Sequence, residues 1–142
     1  MQVSDCIFCS IIAGELPCYE IYRDEQLLCF LDIAPASHGH CLIVPRDHHA
    51  DIFSLPDPLL TAVSRFAGRL APLLKQHCAA EGIGVHQLNG AAAGQTVFHY
   101  HMHLIPAYPG QSRRLHGREP GDAEALAQTA AALRAVLAGE AA

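Results

Sequence analysis

His99, His101 and His103 stand at alternate positions in the run Phe98-His99-Tyr100-His101-Met102-His103-Leu104-Ile105-Pro106. On an extended strand alternate side chains share a face, so the three imidazoles are expected to point together. Neighbouring rings of such a set lie roughly 6.6 Å apart and the outer pair about 13 Å apart. One phosphate can touch two of these rings but hardly all three, so one outer histidine is expected to serve another purpose. A neutral imidazole is a nucleophile near neutral pH without a base to deprotonate it, and a second one can donate a hydrogen bond to developing charge. A solvated strand face or part of a histidine-only metal site would show the same alternation. The adjoining Gly94-Gln95-Thr96 segment, with backbone N–H groups and two polar side chains, favours an anion.

A second group is Cys6-Ile7-Phe8-Cys9, a C-x-x-C pair with the spacing of a tetrahedral zinc half-site. A redox pair is the rival reading, but this one precedes any strand, unlike a thioredoxin arrangement. Zinc needs two more ligands, and the chain has histidines to offer.

Behind these residues stands a chain of 142 residues, long enough for one compact domain. It is 51% hydrophobic and 16% charged, ample for a core and far from a disordered composition. The net charge of −5, without a Lys/Arg run, speaks against a nucleic-acid partner. No apolar stretch approaches the ~20 residues that span a bilayer, and no secretory signal is visible, so no membrane partner and a cytoplasmic location are expected. The six cysteines fit reduced thiols there: Cys29 and Cys41 lie in apolar strand-like runs and Cys78 ends a helical pattern.

The elements follow from periodicity. A short helix is expected from Cys6 to Ala13, stopped by Gly14 and Pro17. Strands are read at Tyr19–Tyr22, Leu27–Leu31, Cys41–Val44, Val85–Leu88 and Val97–Ile105. Asp32 to Gly39 reads as a loop, and Asn89 to Thr96 as the connection of a hairpin. Asp57 is expected as N-cap with Pro58 first in a long amphipathic helix, whose stripe is Leu59, Val63, Phe66, Ala67, Leu70 and Leu74. Asp122 opens a last helix with Leu126, Ala130, Leu133 and Leu137 on one face. The fold class is α+β: a five-stranded antiparallel sheet with a central helix, a short N-terminal helix and a C-terminal helix. Residues 1–110 form the catalytic part, and 111–142 an extension of the same domain ending in a helix.

Gly94-Gln95-Thr96-Val97-Phe98-His99-Tyr100-His101-Met102-His103 resembles the signature of the histidine-triad superfamily, in particular its nucleoside phosphoramidase-like branch. The likeness spans about Cys6 to Tyr108 and includes Phe30-Leu31-Asp32-Ile33 and His40-Cys41-Leu42-Ile43-Val44-Pro45. Tyr100 departs from the family's hydrophobic spacer but would point to the opposite face. After Pro109 the match is loose.

The resemblance implies that His101 is the nucleophile, giving a nucleotidyl-histidine that water then cleaves to a nucleoside monophosphate. It implies that His103 and Gln95 take part in catalysis, and that Gly94, Gln95, Thr96 and His103, with Asn89 nearby, hold the phosphate. Asp32 would accept from ribose hydroxyls, and Phe8, Phe30 and Ile33 would border base and sugar. Taken alone, Asp32 reads as an ordinary turn residue, Asn89-Gly90 as a plain hairpin turn, and the apolar three as core. His40 is placed close behind the triad. Zinc, on Cys6, Cys9, His48 and His99, would be structural, with His49 competing for the place of His48. The partners implied are a purine nucleotide and a second copy in a homodimer. The alternatives are a dinucleoside polyphosphate hydrolase or nucleotidyl transferase using the same His101, and a nucleotide-binding regulator with incidental activity. A zinc-dependent interaction module is a further class. His38, His77, His86 and His116 carry no role beyond surface or internally bonded histidines.

Overall fold

The computed structural model describes residues 5–111 and 118–141. The elements in chain order are α1 (Ile7–Ile12), β1 (Glu20–Arg23), β2 (Leu27–Leu31), β3 (Cys41–Pro45), α2 (Asp57–His77), β4 (Gly82–His86), β5 (Met102–Ala107) and α3 (Ala123–Ala141), with one 3₁₀ turn at Ala91–Ala93. The five strands form one antiparallel sheet in the order β1-β2-β3-β5-β4. The α+β architecture read from the sequence is the one observed.

Strand β2 is buried along its whole length because both of its faces are covered. Leu27, Cys29 and Leu31, with Cys41 and Ile43 of β3, meet Val63, Phe66, Leu70 and Leu74 of α2 and Ala130, Leu133 and Leu137 of α3. Leu28, Phe30, Leu42 and Val44 point the other way, onto Phe8, Ile11 and Ile12 of α1. The period-2 alternation thus divides each strand between two apolar clusters. The β1–β2 turn is tied by Asp24, whose Oδ1 accepts from the N–H groups of Gln26 and Leu27 at 2.8 Å each. At the start of α3, the Asp122 carboxylate accepts from the Ala125 N–H at 2.9 Å, as an N-cap should.

Three boundaries move. Pro56 occupies the N-cap of α2, so Asp57 begins the helix instead of capping it; its charge still sits in the first turn, where the helix dipole favours it. Strand β4 covers Gly82–His86, ahead of the expected Val85–Leu88. Gly82 and Gly84 carry no side chain to mark a strand, and it is pairing with β5, from Gly82↔Ala107 to His86↔His103, that makes the segment extended.

The third is the histidine strand. Regular β5 begins only at Met102, so of the triad His103 alone lies in the sheet, and the expected strand from Val97 is corrected. Residues before it are drawn toward the segment after β3: the Tyr100 N–H donates to His49 O at 2.7 Å, and His99 Nε2 to Pro45 O at 2.7 Å. The alternation of faces survives. Tyr100 is buried in the α2/α3 cluster, while His103, opposite Leu42, takes the α1 face.

The six cysteines form no disulfide. Burial pushes the Cys29 thiol up and that of Cys78 to about 11, so both are inert packing groups.

Candidate active site

The three histidines are distinguished by what their inner nitrogens bond. His101 Nδ1 lies 2.7 Å from the His99 carbonyl oxygen. A carbonyl only accepts, so this nitrogen carries the proton and Nε2 keeps its lone pair. Burial lowers the pKa of His101, outweighing the Asp32 carboxylate, so the ring is neutral at physiological pH. That is the state a nucleophile needs.

His103 is set by a longer chain of bonds. The Ala36 N–H donates to His40 Nδ1 at 2.9 Å, which puts the His40 proton on Nε2. That proton is donated to His103 Nδ1 at 2.8 Å, which leaves the His103 proton on its own Nε2. Burial holds both rings neutral, with pKa values down to about 3. The rings of His101 and His103 have centroids 5.1 Å apart, closer than an ideal strand would place them. One therefore offers a lone pair and the other a donor to adjacent atoms of one ligand. Asp32, His40 and His103 bring possible metal donors together, but these are engaged with each other and with backbone groups.

His99 turns the other way. With Nε2–H bound to Pro45 O, its Nδ1 lone pair faces Cys6 Sγ at 3.4 Å and Cys9 Sγ at 3.6 Å, and His48 Nδ1 lies 3.4 Å from Cys9 Sγ. Zinc–sulfur bonds of about 2.3 Å and zinc–nitrogen bonds of about 2.0–2.1 Å give a tetrahedral S···N edge of roughly 3.6 Å. All four donor atoms lie within 4.8 Å of one another, so the set fits a tetrahedral zinc ion.

The outward nitrogens of His101 and His103 meet a cavity of about 380 Å³. One end is apolar, lined by Ile7, Phe8, Ile11, Leu16, Phe30 and Ile33; the other carries Asp32, Gln95, Thr96, His101, His103 and Arg118. Phe8 stands edge-on to His101 with centroids 5.1 Å apart and to Phe30 at 5.6 Å, so α1 packs against both His101 and the apolar wall. Ile33 is exposed at the rim.

The glycine-bearing loop is braced from within. Gly94 adopts φ +102°, a conformation glycine takes without strain. Gln95 is buried: its Oε1 accepts from the Gly90 N–H at 2.7 Å, and its Nε2 donates to Ala50 O at 2.6 Å and Val97 O at 3.0 Å. Its amide shapes the loop, while the exposed Thr96 side chain stands at the cavity. Asn89 does not line the cavity; its Oδ1 accepts from the Ile52 N–H at 2.7 Å and its Nδ2 donates to Gln87 at 2.7 Å.

Asp32 Oδ1 accepts from the Ala34 N–H and Oδ2 from Arg118 Nη2, both at 2.9 Å. Sequence reasoning missed Arg118. It is one of three arginines in an aperiodic stretch, and no local signal links it to a residue 86 positions away. His86 is half-buried beside His103, His38 and His77 are exposed, and His116 lies outside the described residues.

A three-layered α+β domain with two oppositely tautomeric imidazoles at an apolar cavity is the arrangement of a histidine-triad protein. Residues 13–110 match the HIT domain, and the chain belongs to that family. It is 39% identical over 103 residues to the adenylylsulfatase HINT3 of Arabidopsis thaliana, an alignment covering 72% of this chain but only about half (52%) of that protein. A zinc-bound histidine triad family protein from Mycobacterium smegmatis superposes with a TM-score of 0.83 at 34% identity, over 95% of this chain and 94% of that one. A hypothetical histidine triad nucleotide-binding protein from Sulfolobus tokodaii gives a TM-score of 0.86 at 28% identity, over 94% of this chain and 93% of that one. Among the described residues no helix is long and apolar enough to cross a membrane.

Proposed function

We propose that this chain is a nucleotide hydrolase that cleaves a P–N or P–O bond at the α-phosphate of a nucleotide conjugate through a nucleotidyl-histidine intermediate. The observation that carries the proposal is the pairing of a His101 Nε2 lone pair with a His103 Nε2–H on two rings whose centroids lie 5.1 Å apart at one cavity. His101 Nε2 attacks phosphorus, forming a P–N bond as the bond to the leaving group breaks and its electron pair departs with that group. His103 Nε2–H donates to a non-bridging phosphate oxygen, where charge builds up. The N–H groups of Gly94 and Gln95 are held by Ala91 O and Gly90 O, so from this loop the Thr96 N–H would add to the donation. Water then attacks the same phosphorus, and the P–Nε2 bond breaks to release a nucleoside monophosphate and regenerate neutral His101.

The rest of the lining suits a nucleoside: Phe8, Phe30 and Ile33 at the apolar end for the base, and Asp32, on the polar side, for ribose hydroxyls. A purine is proposed on the family resemblance, and the adenylylsulfatase relative supports an adenylyl group. Cys6, Cys9, His48 and His99 would hold zinc with four protein ligands and no open position, so the ion would tie α1 to the triad segment without entering the reaction.

The test is intact-protein mass spectrometry after rapid mixing with an adenosine phosphoramidate, wild type against His101→Ala. A nucleotidyl mass on wild type and none on the variant is the expected result. No adduct and no monophosphate would end the enzyme reading for this substrate class, and tight binding that survives His101→Ala would then favour a regulator. Faster turnover of a dinucleoside polyphosphate would move the reading to that leaving group.

A further inference from the structure

The ribose end of the cavity is closed by a part of the chain that the family match does not reach: that match stops at residue 110. Beyond it, Arg118 lines the cavity and is largely buried. Its Nη2 holds Asp32 Oδ2 at 2.9 Å and its Nε donates to Ala34 O. Three residues on, the Gly121 N–H donates to Ile33 O at 2.7 Å, and Gly121 packs so closely on Pro35 that a Cβ there would lie 3.1 Å from the proline Cδ. The segment before α3 is therefore strapped along the loop that carries Asp32, contacting Asp32, Ile33, Ala34 and Pro35 in turn.

A carboxylate has about four lone-pair positions, so an ion pair and one backbone bond still leave room for a vicinal diol. The guanidinium, anchored at Nε by Ala34 O, aims Nη2 at Asp32 Oδ2 and so restrains the direction of that carboxylate. Among the described residues lining the cavity Arg118 is the only lysine or arginine. Without it Asp32 Oδ1 would keep the Ala34 N–H at 2.9 Å, while Oδ2 would face His40 Nε2 across 3.6 Å, too far for a firm hydrogen bond.

We infer that Arg118 is a positioning residue for ribose recognition: it orients the Asp32 carboxylate to receive the 2′- and 3′-hydroxyls and thereby selects ribonucleotides over deoxy forms. The inference rests on the nucleotide reading proposed above and extends it to a residue outside the matched domain.

Titration calorimetry of AMP and of 2′,3′-dideoxy-AMP against wild type, Arg118→Ala and Arg118→Gln tests it. Wild type is expected to favour AMP. Each variant is expected to lose about tenfold in AMP affinity, the scale of one charge-assisted hydrogen bond. Dideoxy-AMP binding is expected to change less than twofold, so that discrimination collapses. Arg118→Gln is the softer change and keeps the test open if the alanine variant melts early without ligand. Equal losses for both nucleotides would reduce Arg118 to a structural brace, and an unchanged or tighter AMP affinity would show that it does nothing for, or competes with, the ribose; either result overturns the inference alone. A folded wild type that binds neither nucleotide overturns the nucleotide reading, and this inference with it.

Discussion

The two ends of the triad are built from the same residue type and a few ångströms of backbone, yet they are prepared for different chemistry. At His99 the outer nitrogen, Nε2, is tied to Pro45 O and the Nδ1 lone pair is turned inward, to Cys6 and Cys9. At His101 and His103 the tied nitrogen is Nδ1, and it is Nε2 that faces the cavity. The first environment is closed by four convergent donors; the second is open to a ligand. An imidazole's role is thus chosen by the partner of its other nitrogen. Those partners, the carbonyls of Pro45 and His99 and the ring of His40, come from backbone and from a distant loop.

The comparison breaks most sharply at His101. Replacing it with alanine is expected to lower the rate of monophosphate release at least about 10³-fold with nucleotide binding retained, as measured by single-turnover kinetics and calorimetry. His103→Ala removes a donor and keeps the nucleophile, and a loss of about 10²–10³ in kcat is expected. Survival of full activity in either would separate the cavity from the chemistry assigned to it.

At the closed end the expected effect falls on stability. The double variant Cys6→Ser, Cys9→Ser should lose bound zinc, read by elemental analysis. It should lose about 3–4 kcal/mol, the linkage expected for a ligand present at some 100–1,000 times its dissociation constant. Its AMP affinity should stay within a few-fold of wild type. Loss of turnover out of proportion to stability would tie the two ends together.

The smallest expected effect is a pH dependence of the open end. Burial sets His40 and His103 near 3 in the folded chain, below the usual 6.5, among Asp32, Arg118, His86 and His101. Between those pH values the unfolded chain takes up protons that the folded one refuses. Stability is therefore complete above pH 6.5 and falls as pH drops toward 3. Melting curves of the Cys6→Ser, Cys9→Ser protein should show this decline without a contribution from metal loss, and His40→Asn should make it shallower.

Much of this was readable from residue order. The continuous apolar runs Leu27–Leu31 and Cys41–Val44, and the apolar stripe from Leu59 to Leu74, announced the sheet and the long helix that covers it. Strand β4 was misplaced because two glycines hide a strand that exists only through pairing. The side of the triad was legible, since Tyr100, Met102 and Leu104 between and after the histidines pack in the α2/α3 cluster, but not that His99 turns to the cysteines or that the regular strand starts later. The roles of Gln95 and Asn89 were not legible. An amide can bind phosphate or brace a loop, and only the positions of Gly90, Ala50, Val97 and Ile52 show these amides engaged with the chain.

By itself the sequence determined which groups could react: three imidazoles in alternation, two thiols at zinc spacing, one carboxylate at a strand end. Those follow from local chemistry and period. The tertiary structure alone decided which nitrogen of each ring is available and that Arg118 meets Asp32, because hydrogen-bond partners brought together across 54, 63 and 86 residues leave no mark in local order.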